Sequence, residues 1–240
     1  MGLFRTNLKY ETDLKKYIKS WKVKTKESKF YKNLFVNDPN WNKKTPNEEE
    51  KLRWELIKDF FKKIENKNRD LQILDVGSGR GWLTNLLSDY GKVKGIEPVG
   101  AVVRHARKLF PELSFVLGKL NDFVKDSEKA GNYDLIVCSE VIEHIPDDDK
   151  NKFVHNISLL LKKDGYLILT TPRKEVSNEW NKYLMPNQPV EDWLSEDEIK
   201  EILNKNSFNV IDLKRISLQP RFDAPKFEIY QLWLFRKGGK

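Results

Sequence analysis

Three glycines spaced two residues apart form the first group of residues whose spacing predicts chemistry. Gly77, Gly79 and Gly81 follow the acidic residue Asp75, at the end of a short apolar run rich in Ile, Leu and Val. Glycine permits positive φ and lets a ligand approach the main chain closely. The helix predicted to follow near Trp82 offers unpaired N–H groups to an anion. The loop is therefore predicted to hold the carboxylate or phosphate of a ligand.

Glu97 ends the next apolar segment, twenty residues after Gly77. An acidic side chain at a neighbouring strand end can accept hydrogen bonds from both hydroxyls of a ribose. The expected ligand is therefore a nucleoside that bears an anionic group. The glycine spacing differs from the Gly-x-Gly-x-x-Gly fingerprint of dinucleotide-binding enzymes, so a nicotinamide cofactor is not favoured.

A second polar group, Ser139-Glu140-x-x-Glu143-His144, follows the fourth apolar run. If this segment forms a helical turn, Glu140, Glu143 and His144 share one face. Three roles remain open for them. His144 can act as a general base near neutral pH, the three side chains can hold a divalent cation, or the group can be structural.

The spacing Asp75-x-Gly77-x-Gly79-x-Gly81, followed by Glu97, resembles the first two motifs of the class I S-adenosylmethionine-dependent methyltransferases. The resemblance covers residues 71 to 172. It implies S-adenosylmethionine as the methyl donor and a Rossmann-like, doubly wound α/β fold. That fold has a mostly parallel seven-stranded sheet with an antiparallel edge strand, and here an N-terminal helical lid.

The resemblance also implies which residues contact the cofactor. Lys119 stands where the family usually has an acidic residue that accepts a hydrogen bond from adenine, and a lysine cannot accept one. Asn121, Asp122 or the backbone of Leu120 is left for that role. The implied cofactor-binding residues are Asp75, Gly77, Ser78, Gly79, Trp82, Glu97, Pro98, Leu120, Asn121 and Ser139.

The string Glu140-x-x-Glu143-His144 is similar to that of two groups within this family. One is the quinone-biosynthesis O-methyltransferases and the other is the small-RNA 2′-O-methyltransferases, and both are associated with a metal at this motif. The RNA group has a further histidine downstream. This chain has only His105, His144 and His155, so that ligand is absent.

Strands and helices are predicted to alternate along the middle of the chain, which indicates parallel strands joined by right-handed crossovers. Helices are predicted to begin near residues 80, 99, 119 and 147. After Pro172 a capping box, Ser195-x-x-Glu198, predicts a further helix. By the resemblance, the last two strands form an antiparallel pair at one sheet edge. The predicted strands are 71–76, 92–97, 113–117, 133–138, 165–171, 208–216 and 227–235.

The N-terminal part is predicted to be a separate extension. Residues 6 to 32 have an amphipathic helical pattern, residues 33 to 46 resemble a loop, and Asn47 is expected to cap the next helix. The prediction is therefore a helical lid over residues 1–46 and a methyltransferase domain over residues 47–240. By the resemblance, the lid and the segment after the fifth strand supply substrate-facing candidates, which are Trp21, Tyr31, Trp41, Arg173, Trp180, Tyr183 and Trp193.

Composition narrows the class of protein. The 240 residues carry a formal charge of +8 and 39% hydrophobic residues, enough for a sizeable core. No apolar run is long enough to span a bilayer and no signal peptide is apparent, which predicts a cytoplasmic protein. Lysines alternate with aromatic residues near the N-terminus, which fits either a nucleic acid contact or a solvated helix face.

The leading hypothesis is methyl transfer from S-adenosylmethionine to a hydroxyl, or an amine, of a small metabolite, sugar or glycan. Asp75, Gly77, Gly79 and Glu97 hold the cofactor in this hypothesis, and His144 assists removal of the acceptor's proton. Two alternatives remain. The protein is an RNA 2′-O-methyltransferase that uses the basic N-terminus, or a module that binds the cofactor without catalysis.

Overall fold

The computed structural model describes residues 25–65, 70–125 and 130–238. Its strands are β1 (Leu71–Val76), β2 (Gly91–Glu97), β3 (Ser114–Leu117), β4 (Tyr133–Ser139), β5 (Leu161–Pro172), β6 (Phe208–Leu218) and β7 (Phe227–Lys237). Within the described ranges these seven strands form one sheet in the order β3-β2-β1-β4-β5-β7-β6. Strand β7 is antiparallel to both β5 and β6, whereas the pairs from β3 to β5 are parallel. The predicted fold class is confirmed, with the antiparallel strand one position inside the edge strand β6.

One of the helices numbered here precedes the first strand, and the others lie between strands. They are α1 (Glu48–Phe61), α2 (Trp82–Leu87), α3 (Gly100–Leu109), α4 (Leu120–Phe123), α5 (Asp147–Leu160), α6 (Ser177–Trp180) and α7 (Glu196–Lys205). Capping boxes begin two of them, because the side chains of Asn47 and Ser195 accept from the backbone N–H groups of Glu50 and Glu198. Each of these glutamates accepts in return from the backbone of its capping residue, so both predicted helix starts are confirmed.

Both faces of the sheet are buried, because successive side chains of a strand point to opposite faces. Ile73 and Leu135 pack on the face that α1 and α2 cover, and the same cluster contains Ile57 of α1. Leu74 and Ile136 pack on the other face, beneath α5 and α7. This arrangement leaves the carboxyl ends of the central parallel strands as the place where a ligand can bind.

Strand β5 begins earlier than its sequence predicted. Tyr133 pairs with Leu161, but Leu135 pairs with Tyr166, so extra residues bulge out of β5. Asp164 lies in this bulge with φ of 62°. The predicted start at residue 165 corresponds to the regular part of the strand, because the polar bulge interrupts the apolar run.

The N-terminal extension differs in part from its prediction. Residues 25–32 are helical and continue into a π-helical turn, Asn33–Asn37, where a loop was predicted. The rest of the predicted 6–32 helix lies outside the described residues, as does Trp21. Among the helices that the structure describes, none has the length and apolar character needed to cross a bilayer.

Candidate functional site

A cavity of about 720 Å³ lies beyond the carboxyl ends of the central strands. The glycine loop, Glu97 and the segment after β4 line it from the sheet side, and residues of the N-terminal extension line it from the other. Of the predicted site residues, those that line the cavity are Asp75, Gly77, Ser78, Gly79, Trp82, Glu97, Pro98, Leu120, Asn121, Ser139, Glu140 and His144.

The glycine loop has the conformation that its sequence predicted. Gly77 and Gly79 take φ of 72° and 51°, a left-handed region that favours glycine. A Cβ on Gly77 would stand 2.4 Å from Cγ2 of Val141, and one on Gly79 would stand 3.4 Å from the ring of Phe35. The loop therefore depends on these glycines for its close packing, and its bare backbone fits a ligand's approach.

Arg80, between the second and third glycines, is a residue whose role the sequence did not reveal. It is fully buried, and its Nη1 and Nη2 donate to Oε1 and Oε2 of Glu50 at 2.7 and 2.6 Å. Its Nε donates to the carbonyl of Lys43 at 2.7 Å. The glycine loop is thereby joined to both α1 and the segment that precedes it.

Glu97 faces the glycine loop from the end of β2. Its Oε1 accepts from the N–H of Val99 at 2.9 Å, and its Oε2 accepts from the N–H of Gly79 at 3.3 Å. Burial raises the pKa of Glu97 to about 7. A carboxylate at this position, beside a glycine loop, fits the ribose of a nucleoside ligand.

Asp75 makes a hydrogen bond that connects two elements of the fold. Its Oδ2 accepts from Oγ1 of Thr84 in α2 at 2.6 Å, and burial raises its pKa to about 6. Asp75 therefore fixes the start of α2 relative to β1, while it also borders the cavity.

The structure separates the three candidates for contact with adenine. Leu120 and Asn121 border the cavity, whereas Asp122 is not among the residues that line it. Oδ1 of Asn121 accepts from Nδ2 of Asn156 in α5 at 2.7 Å, which orients the amide. Asn121 and the backbone of Leu120 are therefore the predicted adenine contacts that border the cavity.

Glu140, Glu143 and His144 do not share a helical face. Ile142–His144 forms a short 3-10 turn, but Glu140 precedes it with φ of 56°. The N–H of Glu140 still donates to the carbonyl of Thr170, so this residue prolongs the contact between β4 and β5. Glu143 is buried below the cavity wall, where its Oε2 accepts from Oγ1 of Thr171 at 3.0 Å.

These positions do not fit a divalent cation. The carboxylate of Glu140 faces Thr170 and Arg53, whereas that of Glu143 is bound to Thr171. Throughout residues 25–65, 70–125 and 130–238, no group of three or more His, Cys, Asp or Glu side chains is arranged to hold a metal ion.

His144 borders the cavity in a defined orientation. Its Nδ1 lies 2.8 Å from the carbonyl oxygen of Val190, which can only accept, so Nδ1 carries the proton. In the neutral ring, Nε2 is then the nitrogen with a free lone pair. Nε2 lies 3.7 Å from Oε1 of Glu143, a carboxyl that can stabilise a protonated ring.

A second polar cluster on the cavity wall was not predicted as a unit. Nη2 of Arg53 donates to Oε1 of Glu49 at 2.9 Å, and its Nε lies 3.6 Å from Oε1 of Glu140. The guanidinium also stacks over the ring of Tyr230 at 4.8 Å. Oγ1 of Thr170 donates to Glu140 at 2.7 Å, and burial raises the pKa of Glu140 to about 8.

The cavity wall is acidic although the molecule is basic. Acidic side chains outnumber basic ones among its described lining residues by seven to three, namely Glu27, Glu49, Glu50, Asp75, Glu97, Glu140 and Asp149 against Arg53, Arg80 and Lys119. The whole chain has a formal charge of +8. The cavity therefore favours a ligand with positive charge, as a sulfonium has.

Two of the aromatic substrate-facing candidates line the cavity, Tyr31 and Trp41. The hydroxyl of Tyr31 donates to Oε1 of Gln188 at 3.0 Å, which ties the N-terminal helix to the segment after β5. The other described candidates lie away from the lining. Trp180 and Tyr183 pack on Phe227, Arg173 pairs with Glu196, and Trp193 donates to Glu191.

Comparison with known proteins identifies relatives of this chain. Residues 47–213 match a family model described as a methyltransferase domain. The chain is 31% identical over 122 residues to the ubiquinone biosynthesis O-methyltransferase of Colwellia psychrerythraea, a match that covers 48% of each protein. It is 30% identical over 158 residues to the mitochondrial enzyme of that name from Bos taurus, covering 58% of this chain and 42% of that protein. The chain spans about half the length of the curated relatives that it matches.

Solved structures share the fold. The N-methyltransferase NodS from Bradyrhizobium japonicum, in complex with S-adenosyl-L-homocysteine, is 15% identical with a TM-score of 0.66, over 89% of this chain and 100% of that chain. Magnesium protoporphyrin IX methyltransferase from Synechocystis is 17% identical with a TM-score of 0.61, over 88% and 97% of the two chains.

The family model spans more than half of the chain and includes the glycine loop, Glu97 and His144. The fold, the glycine cradle and the acidic residue at the end of β2 all suit an adenosyl ligand. The chain belongs to the S-adenosylmethionine-dependent methyltransferases, with S-adenosylmethionine as its methyl donor.

Proposed function

We propose that this methyltransferase acts on a hydroxyl, or an amine, of a small metabolite, sugar or glycan, and that His144 removes the acceptor's proton. The orientation of His144 is the observation that carries this proposal. Its Nδ1 is bound to the carbonyl of Val190, so Nε2 is the basic nitrogen of a ring that borders the cavity. A positioned base of this kind contributes about 10²- to 10⁴-fold to a rate.

The cofactor-binding roles belong to the same proposal. Glu97 accepts from the ribose hydroxyls, the backbone around Gly77 and Gly79 receives the amino-acid tail, and Asn121 or the Leu120 backbone contacts adenine. When bound, S-adenosylmethionine supplies a methyl group that its sulfonium has already activated. The residues of the chain then have to orient the two reactants and accept one proton. We further propose that residues 1–46 act as a lid over the domain formed by residues 47–240.

The role of His144 can be tested with labelled S-adenosylmethionine and a panel of phenols, sugars and amines. With an acceptor that the wild type methylates, His144→Asn is expected to lower kcat by about 10²-fold or more. Its affinity for S-adenosylhomocysteine should remain that of the wild type, because the ring does not hold the cofactor in this proposal. An unchanged kcat in His144→Asn would show that His144 is not the general base.

Calorimetry tests the cofactor site separately. Wild-type protein should bind S-adenosylhomocysteine, and Glu97→Ala should bind it at least tenfold more weakly, since two ribose hydroxyls lose their acceptor. Glu48→Ala, at an exposed position of α1, serves as the matched control and should bind like the wild type. Equal affinity of the wild type and Glu97→Ala would contradict the site.

A further inference from the structure

The cluster formed by Glu49, Arg53, Glu140 and Tyr230 has a charge and an orientation that the methyl donor does not explain. Arg53 is shared by two carboxylates, Glu49 at 2.9 Å and Glu140 at 3.6 Å. One guanidinium therefore faces two acids. With a pKa of about 8, Glu140 is mostly protonated at neutral pH, and a nearby cation of a ligand would favour its ionised form. All four side chains line the same cavity as the glycine loop and His144.

Two energetically unfavourable features accompany the position of Glu140 at the cavity wall, its backbone conformation and the burial of its carboxyl group. Its backbone takes φ of 56°, a left-handed conformation that is unfavourable for a residue with a Cβ. Its carboxyl is also partly buried, with a hydrogen bond from Thr170 at 2.7 Å and a contact of 3.6 Å to Nε of Arg53. Strained and buried acids that face a cavity are concentrated at functional sites, where a ligand supplies the missing interaction.

Arg53 supplies an independent sign of a ligand. The residue is only 5% exposed, and its Nε has no hydrogen-bond partner among the described residues. Buried N–H donors of proteins are rarely left without an acceptor. A ligand oxygen beside Nε would satisfy it, while a positively charged group of the same ligand would compensate Glu140.

The surrounding walls suit such a group as well. Tyr31, Phe35, Trp41 and Tyr230 line the cavity, and aromatic faces attract cations through their quadrupole. An anionic group would instead meet Glu49 and Glu140 with a single guanidinium that both already share. The electrostatics therefore disfavour phosphate esters, which include the backbone of an RNA acceptor.

We infer that the acceptor carries an ammonium group, bound between Glu140, Glu49 and the ring of Tyr230, with an oxygen of the acceptor beside Nε of Arg53. This inference rests on the proposed function, since it assigns the acceptor end of the same cavity. It narrows the substrate class to amine-bearing hydroxy compounds or to amines themselves. Glu49, Arg53 and Tyr230 become specificity-determining residues that lie outside the predicted motifs.

Three matched probes test the inference by calorimetry on the full-length protein saturated with S-adenosylhomocysteine. Tyramine, tyrosol and 4-hydroxyphenylacetate share a phenol but carry an ammonium, a neutral hydroxyl and a carboxylate. Tyramine is expected to bind at least tenfold more tightly than tyrosol, and 4-hydroxyphenylacetate more weakly than either. Equal binding of the carboxylate and the amine, or no detectable binding of tyramine, would overturn the inference.

Variants test which side chains cause the preference for tyramine over tyrosol. Glu140→Gln and Glu49→Gln should each reduce the preference for tyramine over tyrosol at least threefold, whereas the exposed control Glu48→Gln should retain it. Binding of S-adenosylhomocysteine reports folding of every variant, and Glu49→Gln carries the test if Glu140→Gln fails to fold. Retained preference in folded Glu49→Gln and Glu140→Gln would overturn the assignment. Failure of the wild type to bind S-adenosylhomocysteine would instead overturn the proposed function.

Discussion

The raised pKa of Glu97 predicts that cofactor affinity depends on pH if this residue binds the ribose as proposed. Burial raises its pKa to about 7, so the free protein holds a proton there at pH 6 and has mostly lost it at pH 8. An ionised carboxylate can accept from both ribose hydroxyls, whereas the protonated acid must donate its own O–H. Affinity for S-adenosylhomocysteine is therefore expected to increase as the pH rises through 7, by up to about tenfold between pH 6 and pH 8.

Calorimetry at pH 6, 7 and 8, in buffers with different ionisation enthalpies, measures both this slope and the proton released on binding. Glu97→Gln should bind weakly and lose most of the slope, because the amide does not titrate. Glu48→Gln, changed at an exposed site, should retain the wild-type slope. An affinity that stays constant or falls with rising pH would exclude ionised Glu97 as the ribose acceptor.

The buried pair of Arg80 and Glu50 predicts a strong effect on stability. Arg80→Met leaves the carboxylate of Glu50 buried without its cation, which typically costs about 3–5 kcal/mol. The double variant Arg80→Met/Glu50→Gln should cost less than Arg80→Met alone, because no unpaired charge remains and Gln still completes the capping box. Urea unfolding of both variants gives these free energies. Equal losses of unfolding free energy in the single and the double variant would show that the unpaired charge of Glu50 is not the cause of the destabilisation.

Among the secondary-structure elements, helix α7 offers a measurable start signal. Oγ of Ser195 accepts from the N–H of Glu198 at 3.1 Å, and Oε2 of Glu198 accepts from the N–H of Ser195 at 2.7 Å. Ser195→Ala is expected to lower the free energy of unfolding by about 1 kcal/mol. Ser114→Ala, at an exposed position of β3, should change it by less than about 0.5 kcal/mol. A loss for Ser195→Ala no larger than that of the control would refute a stabilising cap.

The elements differ in how well local sequence predicts them. Strands β1 and β4 are mostly apolar and are buried on both faces, so their bounds follow closely from the sequence. The capping boxes likewise depend only on residues three positions apart. The π-helical turn Asn33–Asn37 and the bulge in β5 depend on tertiary packing and strand register, which local patterns do not encode.

The same distinction, between features set by local sequence and features set by tertiary packing, applies to the site. The glycine loop and Glu97 form a motif with fixed spacing, and the sequence predicts their neighbourhood. The cluster of Arg53, Glu140 and Tyr230 joins α1, the end of β4 and β7, so its members are distant in the chain. Only the sheet order brings them together, and no spacing rule could have associated them.

Acidic and basic residues are unevenly distributed over the molecule. A chain with a formal charge of +8 encloses a cavity whose described lining is dominated by carboxylates. Buried acids without enough cations have raised pKa values, as Glu97 and Glu140 do. In the proposed site, a positively charged methyl donor would compensate part of this deficit, which favours its binding.

One wall of the cavity is held by a contact between distant parts of the chain. The hydroxyl of Tyr31 in the N-terminal helix donates to Oε1 of Gln188 after β5, and Phe35 lies against the glycine loop. If this helix is a lid, Tyr31→Phe removes a hydrogen bond worth about 0.5–1.5 kcal/mol from the closed state. Dissociation of S-adenosylhomocysteine should then accelerate by about 2- to 12-fold, as stopped-flow fluorescence can measure.

Gln188→Ala should accelerate this dissociation similarly. The double variant Tyr31→Phe/Gln188→Ala should dissociate no faster than either single variant, because both substitutions remove the same hydrogen bond. Additive acceleration, or wild-type dissociation in Tyr31→Phe, would show that this contact does not retain the cofactor.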